Sequence, residues 1–318
     1  MCIPGTAISR YINFYTDFAF KKLFGTEANK DLLISFLNVL FGLEGDDAIE
    51  DVTYLNSEQL GDSRQERRAI YDVYCKTGKG ERFIVEMQKA QQDNFRDRAL
   101  YYSSFAIREQ AIKGSKDRPW DYQLAPVYVV GVLNFVMDNT NDDKCITRVQ
   151  LKDEENRVFT DNLNFVFLEM PKFKKKEKDL ITFLDKWLFV LKNLYKLKEQ
   201  PQALTEGIFR KLFEVAEIAS FSANERTNYE ESLKNFWDLN NCLDTAERKG
   251  FEKGEAIGLE KGLEQGEAIG LEKGEAIGLE KGEAIGLEKV AKTMKLAGVS
   301  TEDIVKFTGL DSADIDKL

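Results

Sequence analysis

Glycine recurs at every fourth position, ten times in all, from Gly250 to Gly286 within the repeating octad GEAIGLEK. In a helix each of these glycines costs about 1 kcal/mol relative to alanine. The isoleucine and leucine of one octad lie about 160° apart around a helix, so no continuous apolar stripe forms along it. We therefore expect residues 250–289 to form a marginal, solvated helix or a flexible spacer. The folded core must come from the residues that precede this repeat.

The residues before the repeat alternate between helical and strand patterns. The spacing of apolar side chains predicts helices over 17–24, 28–41, 95–114, 179–197, 202–219 and 224–248. Runs rich in β-branched and aromatic residues predict strands over 51–56, 68–76, 81–88, 125–137 and 163–170. Between the last two strands, the polar residues suit an excursion or an exposed edge pair.

This order predicts an α/β domain over residues 1–245, with a helix, a three-strand meander, a helix, further strands and a helical C-terminal region. The Gly-rich repeat then forms a separate segment over 250–289. Three short helical pieces over 290–318 predict a small cap of helix-turn-helix style.

The chain contains no histidine. This excludes Ser-His-Asp and Cys-His nucleophile systems, HExxH metalloproteases and any imidazole general base. Any catalysis must therefore use carboxylates, lysine, tyrosine or a metal. The net charge is −10, but residues 250–289 carry ten Glu against five Lys and so account for half of it. The acidic balance of the whole chain therefore does not exclude a nucleic-acid partner for the main domain.

Cysteine usage and the N-terminal sequence bear on the compartment. The four cysteines have no CxxC spacing, which argues against a zinc knuckle or a disulfide framework: Cys2, Cys75, Cys145 and Cys242. The N-terminal stretch has no apolar signal region, and the sequence has no long apolar run. We expect reduced thiols, no membrane association and a cytoplasmic protein.

The stretch YDVYCKTGKGERFIVEMQ consists of two apolar strand-like runs joined by a Gly-Lys-Gly loop. A three-residue loop puts Thr77 opposite Glu81 and Asp72 opposite Glu86, with their Cβ atoms about 5 Å apart on one face of the hairpin. Gln88 shares that face. Two facing carboxylates repel each other unless a cation lies between them, and Mg²⁺ suits such oxygen ligands. The alternative is that both acids only decorate the polar face of an amphipathic hairpin.

Four segments, in this order, resemble a known family: RYINFYTDFAFKKLFG, YDVYCKTGKGERFIVEMQ, FRDRALYYSSFAIREQAIKG and FLEMPKF. They closely resemble the PD-(D/E)XK nuclease family transposases, a recombination-promoting nuclease group, over roughly residues 10–245. The resemblance implies a restriction-endonuclease-like core, dependence on Mg²⁺ and DNA as the substrate. It makes Asp72 the first acid of the motif and Glu86 the second, both as metal ligands.

The same resemblance assigns positions to two further residues, Gln88 and Asp17. Gln88 stands where the signature has lysine, and an amide supplies hydrogen bonds but no positive charge. Lys89 points to the opposite face of an ideal strand, so we expect it to be a poor substitute. Asp17 matches an acidic position that often completes such sites; the alternative is an acid that stabilises the start of its helix.

Candidate nucleic-acid contacts lie in two places. Arg98 and Tyr102, four residues apart on the helix after the hairpin, can reach a phosphate, or else form a surface arginine over a packed tyrosine. The densest basic run can follow a DNA backbone, or else is a solvated lead-in to a helix: Lys172, Lys174, Lys175, Lys176 and Lys178.

Two functions from different classes follow. The first is a Mg²⁺-dependent DNA endonuclease associated with recombination or transposition. The second is a catalytically silent DNA-binding or scaffold protein derived from such a nuclease, in which Gln88 marks a lost activity. In that second case the repeat tail mediates assembly, so a homo-oligomer is expected.

Overall fold

The structure is a computed structural model that describes residues 9–59, 69–111, 123–137 and 143–318. The chain divides into two compact units, residues 1–240 and 241–318. The three-part division at 245 and 290 stays a prediction. Within the described ranges, no helix is both long enough and apolar enough to cross a membrane.

Every helix and strand predicted before residue 245 has a counterpart, with shifted bounds. The helices are α1 Asp17–Phe24, α2 Lys30–Phe41, α3 Phe95–Arg108, α4 Phe183–Asn193, α5 Gly207–Ala216, α6 Ala223–Leu296, α7 Thr301–Thr308 and α8 Ser312–Lys317. The strands are β1 Val52–Tyr54, β2 Glu58–Gln59, β3 Ala69–Ile70, β4 Val73–Thr77, β5 Arg82–Gln88, β6 Val127–Leu133, β7 Ile146–Lys152 and β8 Val158–Glu169. The helix end predicted at Gly114 lies outside the described residues, and α3 ends earlier, at Arg108.

The main sheet has six strands in the order β1-β4-β5-β6-β8-β7. Strands β5, β6 and β8 are parallel, whereas β1, β4 and β7 pair antiparallel with their neighbours. The β7–β8 pair is the exposed edge pair that the polar sequence between the predicted strands suggested. The predicted strand over 68–76 is divided into β3 and β4, with Asp72 at a bend just before β4.

Alternating side chains of β5 face two different helical layers. Phe83, Val85 and Met87 pack into the larger core, which α1, α2, α4 and α5 cover. Ile84 points to the other face, where it packs with residues of α3 such as Ala106. Glu86 and Gln88 share the face of Ile84 by strand alternation. The two polar side chains therefore reach the α3 side of the sheet, at the end of β5.

The glycine repeat lies inside helix α6. Of the two expectations for residues 250–289, the solvated helix is the conformation that the structure has. Every residue from 241 to 290 is exposed. A Cβ atom added at any repeat glycine would meet nothing within 4 Å. Nothing in the described chain therefore depends on the repeat glycines for close packing. After α6, helices α7 and α8 close a small core around Ala291, Ile304 and Ile315.

Deleting one octad, residues 266–273, is expected to leave the melting temperature of the first unit nearly unchanged. The deletion shortens a helix by about 12 Å, at 1.5 Å per residue, and removes only exposed side chains. Calorimetry and sedimentation on the full-length and deleted proteins test this. A large fall in melting temperature together with the loss of a dimer would instead make the repeat an assembly element.

Candidate active site

The β4–β5 hairpin has the register predicted from its loop length. Val73 pairs with Val85 and Lys76 with Arg82, and the Thr77 N–H donates to the Glu81 carbonyl at 2.9 Å. The next pair beyond Val73 and Val85 is Asp72 with Glu86. The loop length therefore brings the two acids to the same edge of the sheet, where β5 ends.

Each of the two carboxylates accepts a backbone hydrogen bond from the strand of the other. The Asp72 N–H donates to Glu86 Oε1 at 3.2 Å, and the Met87 N–H donates to Asp72 Oδ2 at 2.8 Å. Asp72 thus accepts a hydrogen bond from β5 with its side chain instead of its backbone carbonyl. This explains the bend before β4. These bonds hold the two acids beside each other.

Burial and neighbouring carboxylates raise the pKa of both acids. Glu86 is only 6% exposed, and burial together with the neighbouring Asp72 carboxylate raises its pKa to about 8. Burial, and to a lesser extent the Asp17 carboxylate, raises the pKa of Asp72, whereas the Met87 N–H and the charges of Lys21 and Lys89 act in the opposite direction. Negative charge is therefore costly at this position unless a cation approaches it.

The metal-free protein is expected to lose stability as the pH rises from about 4.5 to about 8. Below the unfolded-state pKa of a glutamate, about 4.3, the carboxyl is protonated in both states. Through the window up to about 8, the unfolded state releases a proton that folded Glu86 retains, so stability falls with pH. Glu86→Gln should flatten this part of the curve and raise the melting temperature at pH 8. Calorimetry in EDTA from pH 5 to 9 measures both, and parallel curves for the two proteins would contradict it.

Helix α3 closes the far side of Glu86. Gln88 Nε2 donates to Glu86 Oε2 at 3.0 Å, and Arg98 Nη2 approaches the same oxygen at 3.5 Å. Arg98 also donates to Gln92 Oε1 at 2.8 Å and lies over the ring of Tyr102 at 4.9 Å. The predicted contact residues Arg98 and Tyr102 therefore do lie at the acid pair.

The space between Glu86 and α3 is a cavity of about 10 Å³, too small for more than one water molecule. Gly131 of β6 pairs with Glu86 across the sheet. A Cβ atom there would lie 3.0 Å from the ring of Phe167. The α3 side of Glu86 therefore has no room for a group larger than one water molecule. Asp72, which is only partly buried, marks the open side of the acid pair.

That open side carries an ion pair that sequence reasoning missed. Lys89 Nζ lies 2.9 Å from Asp17 Oδ1, with 16% of the Lys89 side chain and 60% of the Asp17 side chain exposed. Asp17 begins α1, whose N-cap is Thr16. Lys89 does turn away from the face of Gln88, as predicted. Lys89 is nevertheless close enough to influence the acid pair. Its positive charge lowers the pKa of Asp72, against the effect of burial.

The donor set suits a hard divalent cation. Asp72 and Glu86 offer adjacent carboxylate oxygens whose repulsion such a cation relieves. Asp17 pairs with Lys89 and does not complete a three-acid group: across residues 9–59, 69–111, 123–137 and 143–318, no cluster of three or more Asp, Glu or Cys side chains is suited to a metal. The residues present therefore fit a metal held by two carboxylates, with its remaining positions left to water or substrate.

The predicted basic run is engaged with carboxylates. Lys174 pairs with Asp143 at 2.8 Å, and Lys175 pairs with Asp185 at 2.7 Å. Lys172 likewise forms a buried pair with Glu169 at 3.2 Å. Part of the positive charge of this run is therefore neutralised within the protein.

Comparison with known protein families gives a match over most of the chain. The family described as PD-(D/E)XK nuclease family transposase matches residues 14–246, a span that contains every site residue discussed above. No curated protein and no solved structure matches the chain.

Proposed function

The chain belongs to the PD-(D/E)XK nuclease family transposases, and on this premise we propose that it is a metal-dependent DNA endonuclease acting in recombination or transposition. The observation that carries the proposal is the pair of adjacent, cross-bonded carboxylates of Asp72 and Glu86 at the end of the β4–β5 hairpin. Two buried carboxylates that repel each other are better explained by a cation-binding site than by a merely polar face of the hairpin.

Asp72 and Glu86 hold the cation, for which Mg²⁺ is our proposal. When bound, such an ion supplies a nucleophilic hydroxide and neutralises charge on the scissile phosphate. Gln88 orients Glu86 by donating to Oε2, so that the other carboxylate oxygen stays directed toward Asp72. The two backbone N–H donors keep both carboxylates in place when the cation leaves.

DNA is the proposed substrate. Arg98, Lys174 and Lys175 would bind its phosphate backbone. Arg98 is held by Gln92 and Tyr102 beside Glu86. The exposed third of the Arg98 side chain would contact a phosphate of the flanking backbone at the surface, outside the small cavity beside Glu86. Lys174 and Lys175 are proposed as outer contacts, and they would have to exchange their carboxylate partners for phosphate oxygens.

Incubation of the purified protein with supercoiled plasmid tests the proposal. Nicking with Mg²⁺ or Mn²⁺, and its loss in EDTA, is the expected result. A single-strand nick and a double-strand break give relaxed and linear products, so the same gel reports the type of cleavage.

The second candidate, a catalytically silent DNA-binding or scaffold protein, is favoured by one feature. Gln88 has an amide where the family signature has a lysine, so the position lacks a cation for the developing charge. Plasmid binding without cleavage under every divalent metal would establish this candidate and overturn the endonuclease proposal.

A further inference from the structure

The charge missing at Gln88 raises the question of which cation lies closest to the open side of the acid pair. On the α3 side, Arg98 is the nearby cation, but the cavity there is too small to admit a phosphate. On the α1 side, Asp17 is more than half exposed and Lys89 points toward it. Lys89 directly follows the last residue of β5, and its charge acts on Asp72. A phosphate bound on the Asp72 side would therefore lie near the Lys89 ammonium.

Lys89 is placed by two independent elements. Its backbone follows directly on the last residue of β5, so its Cα is fixed relative to Glu86 and Met87. Its ammonium is fixed by Asp17 at the start of α1, at 2.9 Å. Because only 16% of the Lys89 side chain is exposed, the lysine has few alternative positions.

We propose that Lys89 supplies the positive charge that contacts the scissile phosphate in place of a lysine at position 88, with Asp17 as the positioning residue that holds its ammonium. The inference rests on the proposed nuclease function. Lys89 lies one residue after position 88, where the family signature has lysine. It would therefore approach the phosphate from the α1 side of the sheet edge. It thus acts from the face opposite to Gln88.

Lys21 is the other lysine whose charge acts on Asp72. Its side chain lies on the surface of α1 and is exposed. An exposed, solvated ammonium is a weaker partner for a phosphate than one held in place. Lys21→Gln therefore serves as a comparison, and Lys76→Gln, at an exposed position of β4, serves as the matched control in the same hairpin.

The first measurement is single-turnover nicking at saturating enzyme. Lys89→Gln is expected to lower the rate by about 100-fold, which is the typical effect of removing one group that stabilises developing charge. Lys89→Arg should retain part of the rate. Moving the lysine back to the signature position, in the double variant Gln88→Lys with Lys89→Gln, should restore activity at least tenfold over Lys89→Gln. Lys76→Gln should match the natural protein.

The second measurement does not need cleavage. The affinity for a fluorescein-labelled DNA duplex is measured in EDTA over a range of salt concentrations. Losing one phosphate contact lowers the slope of log affinity against log salt by about 0.9. We expect this decrease for Lys89→Gln and none for Lys76→Gln.

A double-mutant cycle tests the role of Asp17. Asp17→Asn should slow nicking in the natural background but have little further effect in Lys89→Gln, since it acts only through the lysine. Additive effects would overturn the positioning role.

The failures of the two proposals are distinguishable. If the natural protein nicks DNA and Lys89→Gln nicks at the same rate with an unchanged salt slope, the assignment of Lys89 is wrong while the nuclease proposal stands. If the natural protein never nicks, the nuclease proposal fails, and the salt slope alone decides whether Lys89 contacts phosphate.

Discussion

Replacing Glu86 with glutamine, or Asp72 with asparagine, is expected to lower metal-dependent nicking of supercoiled DNA by more than about 100-fold. Loss of a partner in the second layer around a metal typically costs 10- to 100-fold, so loss of a direct ligand should cost more. Either amide removes one of the two carboxylates proposed to hold the cation. The rate of appearance of relaxed plasmid, at saturating Mg²⁺, measures the effect.

Both substitutions are designed to keep the fold. In Asp72→Asn the new amide oxygen would still accept from the Met87 N–H, and in Glu86→Gln it would still accept from the backbone N–H of residue 72. Glu81→Gln is the matched control, since Glu81 accepts from the Thr77 hydroxyl at the opposite end of the same hairpin. The control should nick like the natural protein. If both amide variants also nick within about threefold of it, the acid pair is not the metal site.

The hairpin illustrates what sequence could predict. A three-residue loop fixes the pairing of Thr77 with Glu81, and strand pairing then fixes every pair up to Asp72 and Glu86. The same alternation places Val85 and Ile84 in opposite cores. These features are local, because they depend only on the residues between the two strands and on the two-residue period of a strand.

The Lys89–Asp17 pair shows why the rest could not be predicted. Strand alternation gives the face of the sheet to which Lys89 points. It does not give the residue that Lys89 contacts on that face. The docking of α1 on the sheet depends on core packing among distant segments, such as Phe24 against Phe36 and Trp187. Sequence periodicity does not encode that arrangement. An acid at the start of α1 and a lysine just after β5 were both visible in the sequence, but their contact was not.

The bend at Asp72 has a similar origin. The apolar run over 68–76 predicts one continuous strand, but the structure divides it into β3 and β4. The carboxylate of Asp72 accepts from the Met87 N–H at 2.8 Å, so a side chain replaces a backbone partner at that point. A local rule broken at a candidate functional residue is where sequence reasoning is expected to fail.

Trp187→Ala is expected to lower the free energy of unfolding of the first unit by about 3–5 kcal/mol, the usual cost of truncating a buried tryptophan. Trp187 is fully buried. Its ring lies 6.0 Å from Phe24 of α1, 5.7 Å from Phe36 of α2 and 5.3 Å from Phe209 of α5. Removing the indole therefore leaves a cavity where four helices meet.

Trp187→Phe is the matched comparison. Within the described residues, the indole Nε1 is buried without a hydrogen-bond partner, and an unpaired buried donor costs about 1–3 kcal/mol. Phenylalanine keeps ring contacts and removes that donor, so its net cost should be no more than about 1–2 kcal/mol. Urea titration read by pulse proteolysis measures both variants without depending on the tryptophan signal.

The two variants also separate packing from catalysis. Phe24 ends the helix that Asp17 begins, so a cavity beside Phe24 loosens the element that positions Lys89. Trp187→Ala should therefore slow nicking even at a urea concentration of zero, where the protein is still folded, whereas Trp187→Phe should not. If Trp187→Ala costs less than about 1 kcal/mol, the indole does not hold the four helices together. If it destabilises the fold but leaves nicking unchanged, the position of α1 does not depend on this core, and the link from Trp187 through Phe24 to the ammonium of Lys89 is wrong.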